Sequence, residues 1–203
     1  MQVLPPTFIE RIQISIPKVT DKAAETSVSQ TLIHNQEKEQ EFANEIIIKN
    51  PNDKIISKHS TKKSITPGIN NITLELPTLK KPTLWSPENP NLYEMTVRLK
   101  SNIIVDEVSE RYGYRWFEFK EQGSFYLNGK RLLLRGIHRH EDYAGYGNAL
   151  PDSLHRNDMK MIKEMGANFV RLAHYPQDPE IYNSCDELGL LVWDRAIASK
   201  FRK

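Results

Sequence analysis

The stretch Arg135-Gly-Ile-His-Arg-His-Glu-Asp142 gathers two imidazoles, two guanidiniums and two carboxylates within a few residues. His138 and His140 are two apart, so on an extended strand they share a face. With Glu141 or Asp142 beside them they could bind a metal ion. His-x-His alone is a weak motif, and the plainer alternative is one inward, hydrogen-bonded histidine and one in a loop. Two later groups have the same character: His174, before Tyr175-Pro176, and Asp194. Arg171 lies in the middle of an apolar run. An arginine there needs a carboxylate partner, because an unpaired buried charge is costly. No later Asp or Glu of this chain is an obvious partner, which places the partner on a strand outside it. Cys185 falls on the apolar face of a helix and reads as core.

Secondary structure must bring these groups together. Leu132 to Ile137 is an apolar run of the kind that forms a strand buried on both faces of a parallel sheet. The polar cluster follows at its C-terminal end, where barrel and doubly wound folds place their chemistry. A helix is expected from Asp152 or Ser153, either of which can cap it, with Leu154, Met161, Ile162 and Met165 on one face and Gly166 as its stop. Asn168 to His174 is the next strand. Asp178-Pro179 opens a second helix as cap and first residue. Ile181, Tyr182, Cys185 and Leu188 form its buried face, and Gly189 ends it. Leu190 to Asp194 is a third strand. Strand, helix, strand, helix, strand at this spacing implies parallel strands. The clusters at 138–142, 174–175 and 194 would then line one rim. Ahead of this run, Phe125 to Leu133 reads as a hairpin turning at Asn128-Gly129.

Residues 1–115 have a different pattern, that of a β-sandwich of immunoglobulin-like kind with about seven short strands. Ile12, Ile14 and Ile16 alternate in a strand ended by Pro17. Thr26 to His34 follows, with Val28 and Leu32 inward. Phe42 to Lys49 and Lys54 to Lys58 flank the turn Asn50-Pro-Asn-Asp53. Ile69 to Leu76, Tyr93 to Leu99 and Ile103 to Val108 complete the set. The pairs Lys62-Lys63 and Lys80-Lys81 read as solvated loops, and the isolated His34 and His59 as structural. Leu84-Trp-Ser-Pro-Glu-Asn-Pro-Asn-Leu-Tyr93, held extended by two prolines, reads as an edge crossover between two sheets. The second domain is expected over 116–203.

The totals bound the function. The chain has 203 residues, 38% hydrophobic and 27% charged, which suits a globular protein with a core. A net charge of +2 gives no electrostatic case for nucleic acid or an anionic membrane. One cysteine excludes an internal disulfide. No apolar run approaches the ~20 residues that span a bilayer, and Met1-Gln-Val-Leu-Pro-Pro6 lacks the form of a signal peptide. A cytoplasmic or periplasmic parent protein is expected.

Several segments together resemble glycoside hydrolase family 2, the β-galactosidases, β-glucuronidases and β-mannosidases. They are Leu84 to Tyr93, Gly113-Tyr-Arg115, Phe125 to Lys130, Arg135 to Asp142, Met165 to Pro176 and Cys185 to Asp194. The resemblance covers roughly residues 5 to 194. It implies an immunoglobulin-like domain followed by the start of a (β/α)8 barrel. It also implies that His140 and His174 contact the sugar, that Asp142 can reach a sugar hydroxyl, and that Arg171 lies beneath the nucleophilic carboxylate. The family retains configuration with two glutamates ~5 Å apart, one nucleophile and one acid/base. Both are expected on later strands, so no catalytic residue is expected in this chain. A jelly-roll domain upstream, the rest of the barrel and a homo-oligomer belong to the same expectation. No cofactor is expected here; some galactosidases of the family use magnesium, whose ligands would follow Asp194.

Position 138 is His where the family often has Asn. After Asp194 the family generally continues with Glu, whereas here the basic stretch Arg195 to Lys203 begins and matches nothing. Such a break suits a frameshift, a fragment boundary or a mis-set end. The reading is therefore a slice of a retaining β-glycosidase, β-galactosidase first with β-glucuronidase or β-mannosidase as the alternative, inactive by itself. Two rivals remain: a metal-dependent barrel hydrolase using His138 and His140, and a non-enzymatic sandwich module with a degenerate appendage.

Overall fold

On a pleated chain successive side chains point to opposite faces, so alternating apolar and polar residues make half-buried strands. The first 115 residues follow this rule. In the computed structural model, which describes residues 4–121 and 123–194, eight strands form there. They are β1 Thr7–Val19, β2 Ala23–His34, β3 Gln40–Lys49, β4 Ile55–Ile65, β5 Gly68–Glu75, β6 Leu79–Lys80, β7 Tyr93–Lys100 and β8 Ile104–Tyr112. One antiparallel sheet has the order β1-β2-β5, with β6 also on β2; the other has the order β4-β3-β7-β8.

Ile9, Ile12, Val28 and Leu32 of one sheet and Phe42, Ile46, Met95 and Leu99 of the other are buried. Several polar groups between the sheets are paired, neutral with neutral, while the Asp106 carboxylate of β8 accepts from Ile9 N of β1 at 2.7 Å. Asn44 Nδ2 donates to Gln30 Oε1 at 2.7 Å, and Gln30 Nε2 donates back to Asn44 Oδ1 at 3.4 Å. The Tyr114 hydroxyl meets Thr26 Oγ1 at 2.8 Å. His34 is structural, bonded to Thr7 Oγ1 at 2.6 Å and to the Lys38 carbonyl at 2.8 Å.

Three expectations for this half need correction. Pro17 does not end β1, which continues to Val19 through a register shift between Ser15 and Lys18. At the edge of a sheet, and at a bulge, the missing N–H is tolerated. Lys62 and Lys63 lie within β4 rather than in a loop, and Lys80 lies on β6. The segment 84–93 does connect strands of different sheets. Its anchorage, however, is with the second half of the chain. By compactness the chain forms two units, one up to Thr83 with Leu92–Tyr114, the other Leu84–Asn91 with Arg115 onward. Trp85 is buried in the second unit: its Nε1 donates to the Asp186 carbonyl at 2.9 Å, and the Arg115 guanidinium lies 4.4 Å from its ring centroid.

The second unit opens with β9 Phe117–Phe119, β10 Phe125–Leu127 and β11 Lys130–Arg131, an antiparallel sheet in the order β11-β10-β9. Asn128 (φ 52°) and Gly129 (φ 75°) supply the two positive backbone angles of the β10–β11 turn. Then come β12 Gly136–Arg139, α1 Asp152–Glu164, β13 Phe169–Leu172, α2 Pro179–Leu188 and β14 Leu191–Trp193. The three strands are parallel in the order β12-β13-β14. Val170 and Leu172 pack against Met159, Ile162, Ile181 and Cys185 of the two helices. This is the opening of a (β/α) barrel, with one face of the sheet covered by helices.

Here too the expected elements shift. The first barrel strand is 136–139, not 132–137, and it is not buried on both faces: Ile137 and His138 are exposed. The reason is Asn168. Its side chain accepts from Arg135 N at 2.8 Å and donates to the Leu133 carbonyl at 2.9 Å, holding 133–135 as an irregular lead-in. Regular pairing begins at Gly136 opposite Phe169. A Cβ at Gly136 would fall 2.2 Å from the Phe169 carbonyl oxygen, so this close approach requires glycine. Helix α1 has Pro151, not Asp152 or Ser153, at its N-cap. Its buried face is His155, Met159 and Ile162, whereas Met161 and Met165 are exposed. Helix α2 starts as expected, with Asp178 Oδ1 accepting from Glu180 N at 2.8 Å. The stretch 195–203 lies outside the described residues. Among the described residues, no helix is long and apolar enough to cross a membrane.

Candidate active-site rim

Parallel pairing aligns the ends of β12 and β13, because Arg139 stands opposite Leu172. The residues just past those ends are His140 and His174. Their ring centroids are 5.4 Å apart, with planes at 66°. Both histidines are exposed, and the Ala173–His174 peptide is cis. Thus two of the residues expected to hold a sugar stand side by side at one rim. Asp142 is exposed two positions beyond His140, and among the described residues no hydrogen bond ties it to either histidine. Asp194 accepts a hydrogen bond from the Tyr182 hydroxyl of α2. Burial, followed by that bond, pushes the Tyr182 hydroxyl up to about 12.

His138 and His140 do not act as a pair. His138 lies on β12, where its Nδ1 is 3.2 Å from Arg171 Nη1 of β13. A guanidinium only donates, so Nδ1 accepts and the ring proton is on Nε2. Arg171 therefore rests on a histidine of the adjacent strand. Among the described residues, no three His, Cys, Asp or Glu side chains are grouped to hold a metal ion. Cys185 is buried among core residues, and burial pushes its thiol up to about 12.

The arginine that is deeply buried is Arg139, and sequence reading did not single it out. Its Nε and Nη2 donate to Asp158 Oδ2 at 3.2 and 2.8 Å. Nη2 also reaches His155 Nδ1 at 3.0 Å, and Nη1 donates to Gln177 Oε1 at 2.8 Å. Glu141 is buried as well; its Oε1 accepts from Asp178 N at 2.9 Å and lies 3.5 Å from His155 Nε2. The available signal was alternation: if His140 faces the rim, its neighbours Arg139 and Glu141 must face the helices.

Comparison with known proteins agrees with this architecture. Residues 7–115 match the family model "Glycosyl hydrolases family 2", and residues 117–201 match its "TIM barrel domain". The second match extends beyond Asp194, where the sequence pattern was read as ending. A Formosa agariphila protein named "Putative beta-glucuronidase" is 44% identical over 96% of this chain and 23% of its own length. A β-galactosidase of Thermoanaerobacter pseudethanolicus is 33% identical over 96% of this chain and 26% of its own. The crystal structure of Bacteroides uniformis β-glucuronidase superposes with a TM-score of 0.91 at 32% identity, covering 94% of this chain and 24% of that one. The chain thus spans about a quarter of the length of these relatives. With both of its units matched, and with a parallel-stranded rim where a barrel carries its chemistry, the chain belongs to glycosyl hydrolase family 2.

Proposed function

We propose that this chain provides part of the sugar-holding rim of a retaining β-glycosidase. The observation that carries the reading is the His140–His174 pair, 5.4 Å apart between ring centroids at the ends of adjacent parallel strands. In this reading the two imidazoles bind hydroxyls of a terminal β-linked sugar, and Asp142 reaches a further hydroxyl. Arg171, on β13, supports the nucleophilic carboxylate. The reaction needs two carboxyl groups ~5 Å apart, one attacking the anomeric carbon and one protonating the leaving oxygen. Within this chain the buried Glu141 already serves Asp178 N–H, so it does not fill either role. In this reading the 203 residues hold the sugar without turning it over.

In this reading the sugar is galactose or glucuronic acid, the two that the relatives' names carry, ahead of mannose. Motif resemblance puts the galactoside first. The 44% identity to a protein named for glucuronide cleavage, and the fit to a β-glucuronidase structure, favour the glucuronide as a second reading. Titration of D-galactose and of D-glucuronate into histidine-labelled chain, followed by NMR, separates them. Shifts of His140 and His174 with one sugar assign it, and no shift with either overturns the binding role. Nitrophenyl β-galactoside and β-glucuronide should give no release above background; clear turnover would overturn the claim of inactivity.

A further inference from the structure

We infer that Arg139 and Glu141 are positioning residues that set the separation of His140 and His174. Its meaning for catalysis rests on the glycosidase reading above. The two residues flank His140, and alternation turns them away from the rim that His140 faces. Both are buried. Each is tied to the segment that carries His174. Arg139 donates to Gln177 Oε1 at 2.8 Å, and Gln177 Nε2 donates back to the Arg139 carbonyl at 3.1 Å. That carbonyl also accepts from Ala173 N, the residue before His174, at 3.2 Å. Glu141 accepts from Asp178 N at 2.9 Å. Both neighbours of His140, Arg139 through its carbonyl and side chain and Glu141 through its carboxylate, are thus fastened to 173–178.

His155 of α1 links the two anchors. The Arg139 guanidinium can only donate, so His155 Nδ1, 3.0 Å away, is the acceptor and its proton is on Nε2. Nε2 lies 3.5 Å from Glu141 Oε1. Asp158, one turn further along α1, accepts from Nε and Nη2 of the same guanidinium. Strand end, helix and following loop are held by one set of directional charged contacts. Apolar packing alone would let the rim slide, whereas these bonds fix it.

The test uses the full 203-residue chain with labelled histidines. It reads the cross-peak between the His140 and His174 rings, alongside the thermal midpoint. Glu141→Ala should lose the cross-peak in a folded chain. Glu141→Gln should restore it, since the amide oxygen still accepts from Asp178 N–H. Ile162→Ala, in the core of the same helix but outside this network, should lower the midpoint and keep the cross-peak. If Glu141→Ala does not fold, Gln177→Leu carries the same expectation. A cross-peak retained in the folded network variants, or lost equally in Ile162→Ala, would overturn the inference. If the variants behave as expected while neither sugar shifts the histidines, the positioning role stands and the glycosidase reading fails.

Discussion

Between their layers the two units bury different kinds of polar group, although the sandwich also buries a charged Glu45 on β3, beside Lys58 and Lys100. Between the sandwich sheets the buried pair is neutral, with Gln30 and Asn44 exchanging amide hydrogen bonds. Behind the barrel rim it is charged, with Arg139 on Asp158 and Glu141 beside His155. A neutral amide pair costs little to bury once satisfied, and it fixes the alignment of two sheets. A buried guanidinium is a greater liability unless every donor is used. Here the liability sits directly behind the two rim histidines. The units differ in closure too. The sandwich buries the facing sides of its two sheets, though Ile55, Ile69 and Ile103 stay exposed. The barrel unit leaves Phe117, Phe119, Leu133 and Trp193 exposed, and an apolar cavity of ≈ 660 Å³ lies among Phe117, Phe119, Phe169 and Trp193.

Substitutions can break this contrast. Arg139→Met should have the largest effect, about 3 kcal/mol, because it strands a half-buried Asp158 without its partner. Chemical denaturation followed by amide protection across 136–193 measures it. Gly136→Ala should cost about 2 kcal/mol by driving a Cβ into the Phe169 carbonyl, seen as lost protection at the β12–β13 pairing. In the sandwich, Gln30→Leu or Asn44→Leu alone should cost about 1–2 kcal/mol by orphaning one amide. The double substitution should recover most of that loss in a double-mutant cycle. An Arg139→Met/Asp158→Leu pair that recovers as fully would erase the difference between the units. Smallest is Asp178→Ala, about 1 kcal/mol through the lost cap of α2, read as a drop in thermal midpoint.

Much of the architecture was legible because local chemistry dictated it. Asn128-Gly129 made a hairpin turn, since both positions need positive φ. Asp178-Pro179 started α2 because a carboxylate can cap and proline suits the first turn. His140 and His174 were located by their place after apolar runs. What escaped was whatever broke the apolar pattern. Apolar spacing puts Leu154, Met161, Ile162 and Met165 on the inner face of α1; the structure buries Ile162 but joins to it Met159 and His155 rather than Met161 and Met165. A histidine can replace an apolar residue there because Arg139 bonds its Nδ1 and Glu141 lies 3.5 Å from its Nε2. Likewise, 133–135 looked like strand until Asn168 supplied its bonds from 33 to 35 residues away.

By itself, then, the sequence determined the alternation that makes the sandwich, the strand–helix order of the barrel, and which polar groups follow each strand. Those depend on neighbours along the chain, a few residues apart. Only the tertiary structure decided that His138 rests on Arg171, that His140 meets His174, and that Arg139 joins a strand, a helix and a loop. Such contacts depend on register and on the direction of each side chain, which are set when separate elements pack together.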